Sequence, residues 1–162
     1  MSFISPGFNS LINEDRIIAM TTTDSSPLRH LIGRYRDEGK LIDLTSGRSM
    51  KSIIFTDSGH IILSYLAIGR LYDKDSEKYV KVDCGCVIRK DKILTVQGPD
   101  ASPVKRMIQY AKKNGRLVDL SFGKKTRSVI FTDTDNIILS GMDSFEIIKN
   151  PEIRYTDEFT EE

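Results

Sequence analysis

GKLIDLTSGRSMKSIIFTDSGHIILS, residues 39–64, decides the fold, because residues 115–140 repeat it as GRLVDLSFGKKTRSVIFTDTDNIILS. Upstream, SPLRHLI at 26–32 returns as SPVKRMI at 102–108. The offset of about 76 residues holds without a gap, pairing Pro27 with Pro103, Gly39 with Gly115, Asp43 with Asp119, Gly47 with Gly123 and Asp57 with Asp133. About 20 of about 50 aligned positions are identical and most others exchange like for like, which marks a tandem duplication. The units are read as residues 1–74 and 75–149, joined through the charged stretch Asp73–Lys78, with 150–162 as an acidic tail.

Within each unit the pattern predicts β-(β)-α-β-β-β, an α+β fold with one helix packed on a small, mostly antiparallel sheet. Arg16–Met20 and Lys92–Val96 are short β-branched runs and read as strands. Ser25 or Ser26 caps a helix with Pro27 in its first turn, where the missing N–H costs nothing, and Gly39 ends it. Leu28, Leu31, Ile32 and Tyr35 fall on one face of that helix; Val104, Met107, Ile108 and Ala111 repeat the face in the second unit. Strands follow at Leu41–Thr45, Ser52–Thr56 and Ile61–Leu66, with hairpin turns expected at Gly47 and at Asp57-Ser58-Gly59. A unit this small buries a modest core, so pairing with its sister or with other chains is expected.

Composition sets the class. With 162 residues, 39% hydrophobic and 29% charged, the chain is apolar enough to fold. No apolar run approaches a membrane span, the N-terminus lacks a signal-peptide pattern, and two cysteines make no disulfide scaffold, so a reducing cytoplasm is expected. The net charge of +1 hides an uneven distribution. Residues 1–76 hold nine basic and nine acidic side chains, 77–149 hold fourteen and nine, and 150–162 hold one and five. A neutral unit, a basic unit and an acidic tail therefore follow one another, and the tail could compete with phosphate for the basic turns.

Enzymatic candidates are poor. His30 and His60 have no histidine counterparts, since Arg106 and Asn136 stand there in the second unit. Cys84-Gly85-Cys86 is too closely spaced for a redox or zinc C-x-x-C pair and reads as buried strand thiols. Asp57 and Asp133 read as turn-initiating residues, Asp43 and Asp119 as carboxylates in buried hydrogen bonds. No phosphate-cradling glycine motif occurs. No catalysis, cofactor or metal is expected.

The basic residues are better organised. Gly123-Lys124-Lys125-Thr126-Arg127 sets three cations around a glycine turn, with Lys92 opening an earlier strand and Lys105 and Arg106 in the first turn of the helix. The first unit repeats the layout with Arg16, Arg29 and Gly47-Arg48-Ser49-Met50-Lys51. Clustered cations with interleaved hydroxyls suit phosphate oxygens. Arg16, Arg48, Lys51, Lys92, Lys124, Lys125 and Arg127 are therefore the candidate contacts to double-stranded DNA. RNA is the secondary partner, because no stacking platform or groove-reading helix is visible to discriminate the two. The rival reading is an oligomeric scaffold without DNA binding.

At these residues a family comes into view. Gly7-Phe8 near the start, the strand opened by Arg16, S-P-hydrophobic-[KR]-[RH]-x-I, G-x-L-[IV]-D, G-[RK]-x-x-[RK] and D-x-x-x-I-I-L-S keep their order and spacing. The pattern resembles the bacterial RemA family of extracellular-matrix regulators, once from about Ile4 to Ser64 and again from about Val80 to Ser140. The resemblance implies a small DNA-binding regulator of matrix and biofilm genes. It also implies homo-oligomers closed into a ring of eight units, which four of these chains would supply, with a two-fold dimer as the alternative, engaging nucleoid DNA of a bacterial cytoplasm in a way likened to histone wrapping. It carries the strand-opening Arg onto Arg16 and Lys92, and the paired turn cations onto Arg48 and Ser49, and onto Lys124 and Lys125. Ser49 departs from the family pattern by losing one cation, and lysine for arginine in the second unit exchanges a planar fork for a point charge.

Overall fold

The computed structural model describes residues 2–156, so residues 157–162 of the acidic tail lie outside the described residues. The first unit contains a hairpin of β1 (Phe3–Gly7) and β2 (Ser10–Asn13), then β3 (Ile17–Thr21), α1 (Ser26–Asp37), β4 (Leu41–Asp43), β5 (Ser52–Thr56) and β6 (Ile61–Ser64). The second repeats the order with β7 (Tyr79–Lys81), β8 (Val87–Arg89), β9 (Ile93–Gln97), α2 (Ser102–Lys113), β10 (Leu117–Leu120), β11 (Ser128–Thr132) and β12 (Ile137–Ser140), and adds the short α3 (Ser144–Ile147). The fold is α+β, with a small mixed sheet and a helix in each unit.

Ser25 caps α1 through its hydroxyl, which accepts from the Leu28 amide at 3.4 Å; Ala101 stands at that position of α2 and offers no such bond. β5, the sequence SIIFT, is buried along its whole length and takes a central place between β6 and β3. The shorter β4 is left at the edge, parallel to β6, with Leu41 opposite Ile61. The connection at Gly47 is therefore a crossover and not the expected hairpin turn, and the same holds at Gly123, because β10 lies parallel to β12. The expected hairpin at Asp57-Ser58-Gly59 joins β5 and β6 antiparallel.

Two features reverse the chain at each crossover. The Asp43 carboxylate accepts from the Thr45 amide at 2.9 Å and the Thr45 hydroxyl at 2.6 Å, and Asp119 does the same with Ser121. Ser46-Gly47 and Phe122-Gly123 then adopt left-handed backbone, where glycine carries no Cβ penalty. These carboxylates shape the turns, and Asp43 is exposed rather than buried as expected.

The units do not close separately. Strands β7 and β8, the first hairpin of the second unit, extend the first unit's sheet into the order β4-β6-β5-β3-β8-β7, with Ala19 opposite Ile88 and Met20 opposite Val87. On one face of this sheet, Ile17, Met20, Ile54 and Ile62 pack with Ile12 of the first hairpin and with Tyr79 and Val87. On the other, Leu28, Leu31, Ile32 and Tyr35 of α1 pack with Ile53, Phe55 and Ile61, in one cluster with Val118, Leu120, Ile130 and Ile138 of the second sheet. Helix α1 thus lies between two sheets, and the modest core of each unit is completed by its sister, as expected.

The second unit lacks such a neighbour beyond α2. Val104 and Ala111 are buried against Val129, Ile137 and Leu139. Met107, however, expected on the buried face, is 49% exposed, and Leu94 on β9 is 65% exposed, whereas their counterparts Leu31 and Ile18 are 8% and 0% exposed. At the opposite end, Phe3 and Leu11 are 51% and 69% exposed, against 7% and 0% for Tyr79 and Val87.

Candidate nucleic-acid interface

The seven candidate cations fall into two groups. Arg16 and Lys92 converge on one carboxylate, Asp57, at 2.6 Å and 3.2 Å from its two oxygens. Asp57 thus opens the β5–β6 turn and its carboxylate also ties the units together. Arg127 pairs with Glu146 at 3.2 Å and Asp143 at 3.8 Å, where α3 begins. Arg48, Lys51, Lys124 and Lys125 are exposed, and no ion pair forms at them among the described residues. All four lie on the two crossover turns.

Arg48 differs from the three lysines in being held. Its guanidinium carbon lies 5.2 Å from the centroid of Phe8 and 5.5 Å from that of Tyr65, and the rings are themselves 5.0 Å apart. Each such contact at an exposed site is worth about 0.5–1 kcal/mol, enough to favour one orientation of the planar fork. This aromatic pair corrects the expectation that no stacking platform exists. It escaped the repeat comparison because Cys84 and Gly141 occupy the equivalent positions, leaving Lys124 without a ring beneath it. The turn at Phe122-Gly123 meets Asp24, Ser25, Ser26 and Pro27 at the N-terminal end of α1, across a cleft of about 240 Å³. One unit's basic turn thus stands beside the start of its neighbour's helix.

A set of polar contacts between the units fixes that arrangement. Glu14 accepts from Tyr79 Oη at 2.8 Å and from Lys78 Nζ at 3.2 Å. Arg89, buried, donates to the Glu14 main-chain oxygen, pairs with Asp91 at 2.9 Å and Asp15 at 3.8 Å, and lies over the Tyr79 ring. Burial opposes the charge on Glu14, but bonds from Tyr79, Ser2 and Lys78 outweigh it and hold the carboxyl below its usual range. Burial and the adjacent carboxylate push the Tyr79 phenol well above its usual value. Because the Glu14 pKa is lowered on folding, its contribution is complete above the unfolded carboxylate pKa and is lost as pH falls through the folded one. Glu14→Gln is expected to cost about 2–4 kcal/mol at pH 7 and less at pH 3. Urea denaturation at the two pH values measures the difference.

The two halves of this arrangement are recognised separately and in register by the family description "RemA-like: Extracellular matrix regulatory protein A-like", at residues 3–74 and again at 79–150. The chain belongs to the RemA-like family. A protein of Geobacillus thermodenitrificans with a provisional regulatory-protein name is 39% identical over 85 residues, which is 52% of this chain and 95% of that one. Similarly named proteins of Pseudothermotoga lettingae and Caldicellulosiruptor saccharolyticus are 39% and 33% identical over 80 and 85 residues, covering 49% and 52% of this chain and 88% and 83% of theirs. Each relative's match thus spans about one unit of this RemA-like chain, which carries two. A regulatory role follows at that level.

The remaining candidates of the RemA-like chain are scattered. His30 is exposed on α1, and His60 Nδ1 lies 2.8 Å from the Ser58 hydroxyl in the β5–β6 turn. Cys84 is exposed in left-handed backbone and Cys86 is buried before β8, so neither lies within a strand as expected. Burial pushes the Cys86 thiol up to about 11, which leaves it protonated and unreactive at neutral pH. No described helix is long and apolar enough to cross a membrane.

Proposed function

We propose that this RemA-like chain is a non-catalytic regulator that binds double-stranded DNA through its two crossover turns while assembled head to tail with copies of itself. One observation carries the reading. Five of the seven candidate cations lie on the two equivalent turns, and four of these, Arg48, Lys51, Lys124 and Lys125, have no acidic partner among the described residues, Arg127 being held by Asp143 and Glu146. Cations that structure does not neutralise are available to phosphate. Arg16, Lys92 and Arg127 serve instead to join units or anchor α3.

The assembly half is supported by the exposed residues at the two ends of the chain, whose counterparts are buried between its units. Repeating the internal junction would seat β1–β2 of one copy against β9 of another, cover Met107 and Leu94, and bring the basic turns onto one rim. Four chains would supply the eight positions that the family resemblance implies, on nucleoid DNA in a bacterial cytoplasm. Gel shifts on mixed duplexes from 50 to 200 mM salt test the function. For about 6–10 phosphates engaged, affinity is expected to fall by about 10³- to 10⁵-fold across that range. An assembled protein that leaves every duplex and RNA unshifted would be a scaffold, and the DNA half would be wrong.

A further inference from the structure

The junction inside the chain and the one its ends offer share an outline and differ in chemistry. Inside, the first unit supplies acids and the second supplies donors. Glu14 receives Lys78 and Tyr79, Asp15 faces Arg89, and Asp57 receives Lys92. Moving each position by the repeat offset gives the free ends. The rear edge carries Lys90, Asp91 and Asp133 in place of Glu14, Asp15 and Asp57; the front edge carries Ser2, Phe3, Asn13 and Arg16 in place of Lys78, Tyr79, Arg89 and Lys92. Of the charge pairs, only Asp133 with Arg16 survives. Lys90 already has a partner in its own chain, Glu152 at 2.6 Å.

The apolar half of the junction is retained. Phe3 and Leu11 stand for Tyr79 and Val87 at the front, and Leu94 and Met107 for Ile18 and Leu31 at the rear; all four are exposed. Around Met107 and Tyr110 a cleft of about 1170 Å³ opens where the equivalent face of α1 meets the second sheet. A second copy of this chain fits that face, because its own first unit repeats the surface that the second unit presses against α1.

We propose that the assembly has two kinds of seam: a sealed one within each chain, and an apolar one between chains that lacks the carboxylate–donor network and is where the assembly opens. This rests on the assembly half of the function proposed above. The whole two-unit chain is then the piece that exchanges. The acidic rear of the first unit also rejects a foreign front edge, since Ser2 and Phe3 would leave the buried Glu14 carboxylate without its cross-unit lysine and tyrosine donors, and Asn13 would leave Asp15 without its arginine. Strand exchange between chains at the internal seam is disfavoured for the same reason.

The test installs the missing network at the outer seam. Lys90→Glu combined with Ser2→Lys, Phe3→Tyr and Asn13→Arg recreates the carboxylate, its lysine and tyrosine donors, and the arginine that meets the neighbouring main-chain oxygen and Asp91. In a dilution series followed by mass photometry, this variant is expected to stay assembled at protein concentrations at least tenfold below those at which the unaltered chain dissociates. Mixed fluorescently labelled populations should exchange chains more slowly in the variant. Lys90→Glu alone places a carboxylate without donors next to Glu152 and is expected to weaken assembly, with the three front-edge substitutions restoring it. Thermal melting confirms that each variant is folded. Equal or weaker assembly of the folded fourfold variant overturns the two-seam proposal while leaving head-to-tail assembly standing. An unaltered chain that stays single at every concentration overturns both.

Discussion

Leu94→Glu is expected to leave the protein as single two-unit chains at concentrations where the unaltered protein is assembled. Leu94 sits on the free edge strand β9 and is 65% exposed, while Ile18, its equivalent on β3, is fully buried where the second unit's hairpin joins the sheet. Covering a leucine contributes about 1.5–3 kcal/mol, and burying an unpaired carboxylate costs several more. A loss above about 3 kcal/mol at one seam raises its dissociation constant more than about 100-fold. Leu11→Glu, at the front, should have the same effect. The decisive result is the mixture: a chain carrying one substitution retains a sound front and the other a sound rear. Equimolar Leu94→Glu and Leu11→Glu should therefore give a dimer and nothing larger. Light scattering after size exclusion distinguishes this from a two-fold dimer, in which each variant would behave alike alone and mixed.

The second large effect belongs to the turns. Replacing Lys51, Lys124 and Lys125 together by alanine removes three exposed charges per chain that no acid among the described residues neutralises. The slope of log affinity against log salt should flatten by about 0.9 for each removed phosphate contact, or roughly 2–3 for each chain engaged. Binding near physiological salt should fall by at least about 100-fold for an assembly of several chains. Stability should change by less than about 0.5 kcal/mol, since none of the three packs into the core. Arg127→Ala is the contrasting control. Its guanidinium is held by Asp143 and Glu146, so it should alter α3 more than the salt slope. Equal binding by the triple variant and the unaltered protein would remove the turns as the DNA contact.

Duplication made the strands unusually legible, since each was read twice, and β5 begins and ends where the pattern of β-branched residues placed it. What could not be read was pairing between distant segments. Gly47 carries a turn signal, but whether the next strand pairs with β4 or crosses beyond β6 depends on which run is most apolar and so takes the middle of the sheet. Met107 has the periodicity of a buried helix face, and periodicity does not reveal that no layer among the described residues covers it. The site was legible to the extent that both units share it. Basic turns recur and were found; Phe8 and Tyr65 beneath Arg48 have no ring counterparts and were missed. The partners of Arg16 and Lys92 were also hidden, because Asp57 holds one cation from each unit across 41 and 35 residues of chain.

The hairpin β7–β8 lies in the second unit by sequence and completes the first unit's sheet by hydrogen bonding. This has a consequence for synthesis. Strand β3 cannot be covered on its outer edge until residues 79–89 have emerged from the ribosome, after β6 has already completed the rest of its sheet. Through that interval the nascent first unit exposes an open β edge together with the apolar face of α1, and its own successor in the same polypeptide is the segment delivered to cover both.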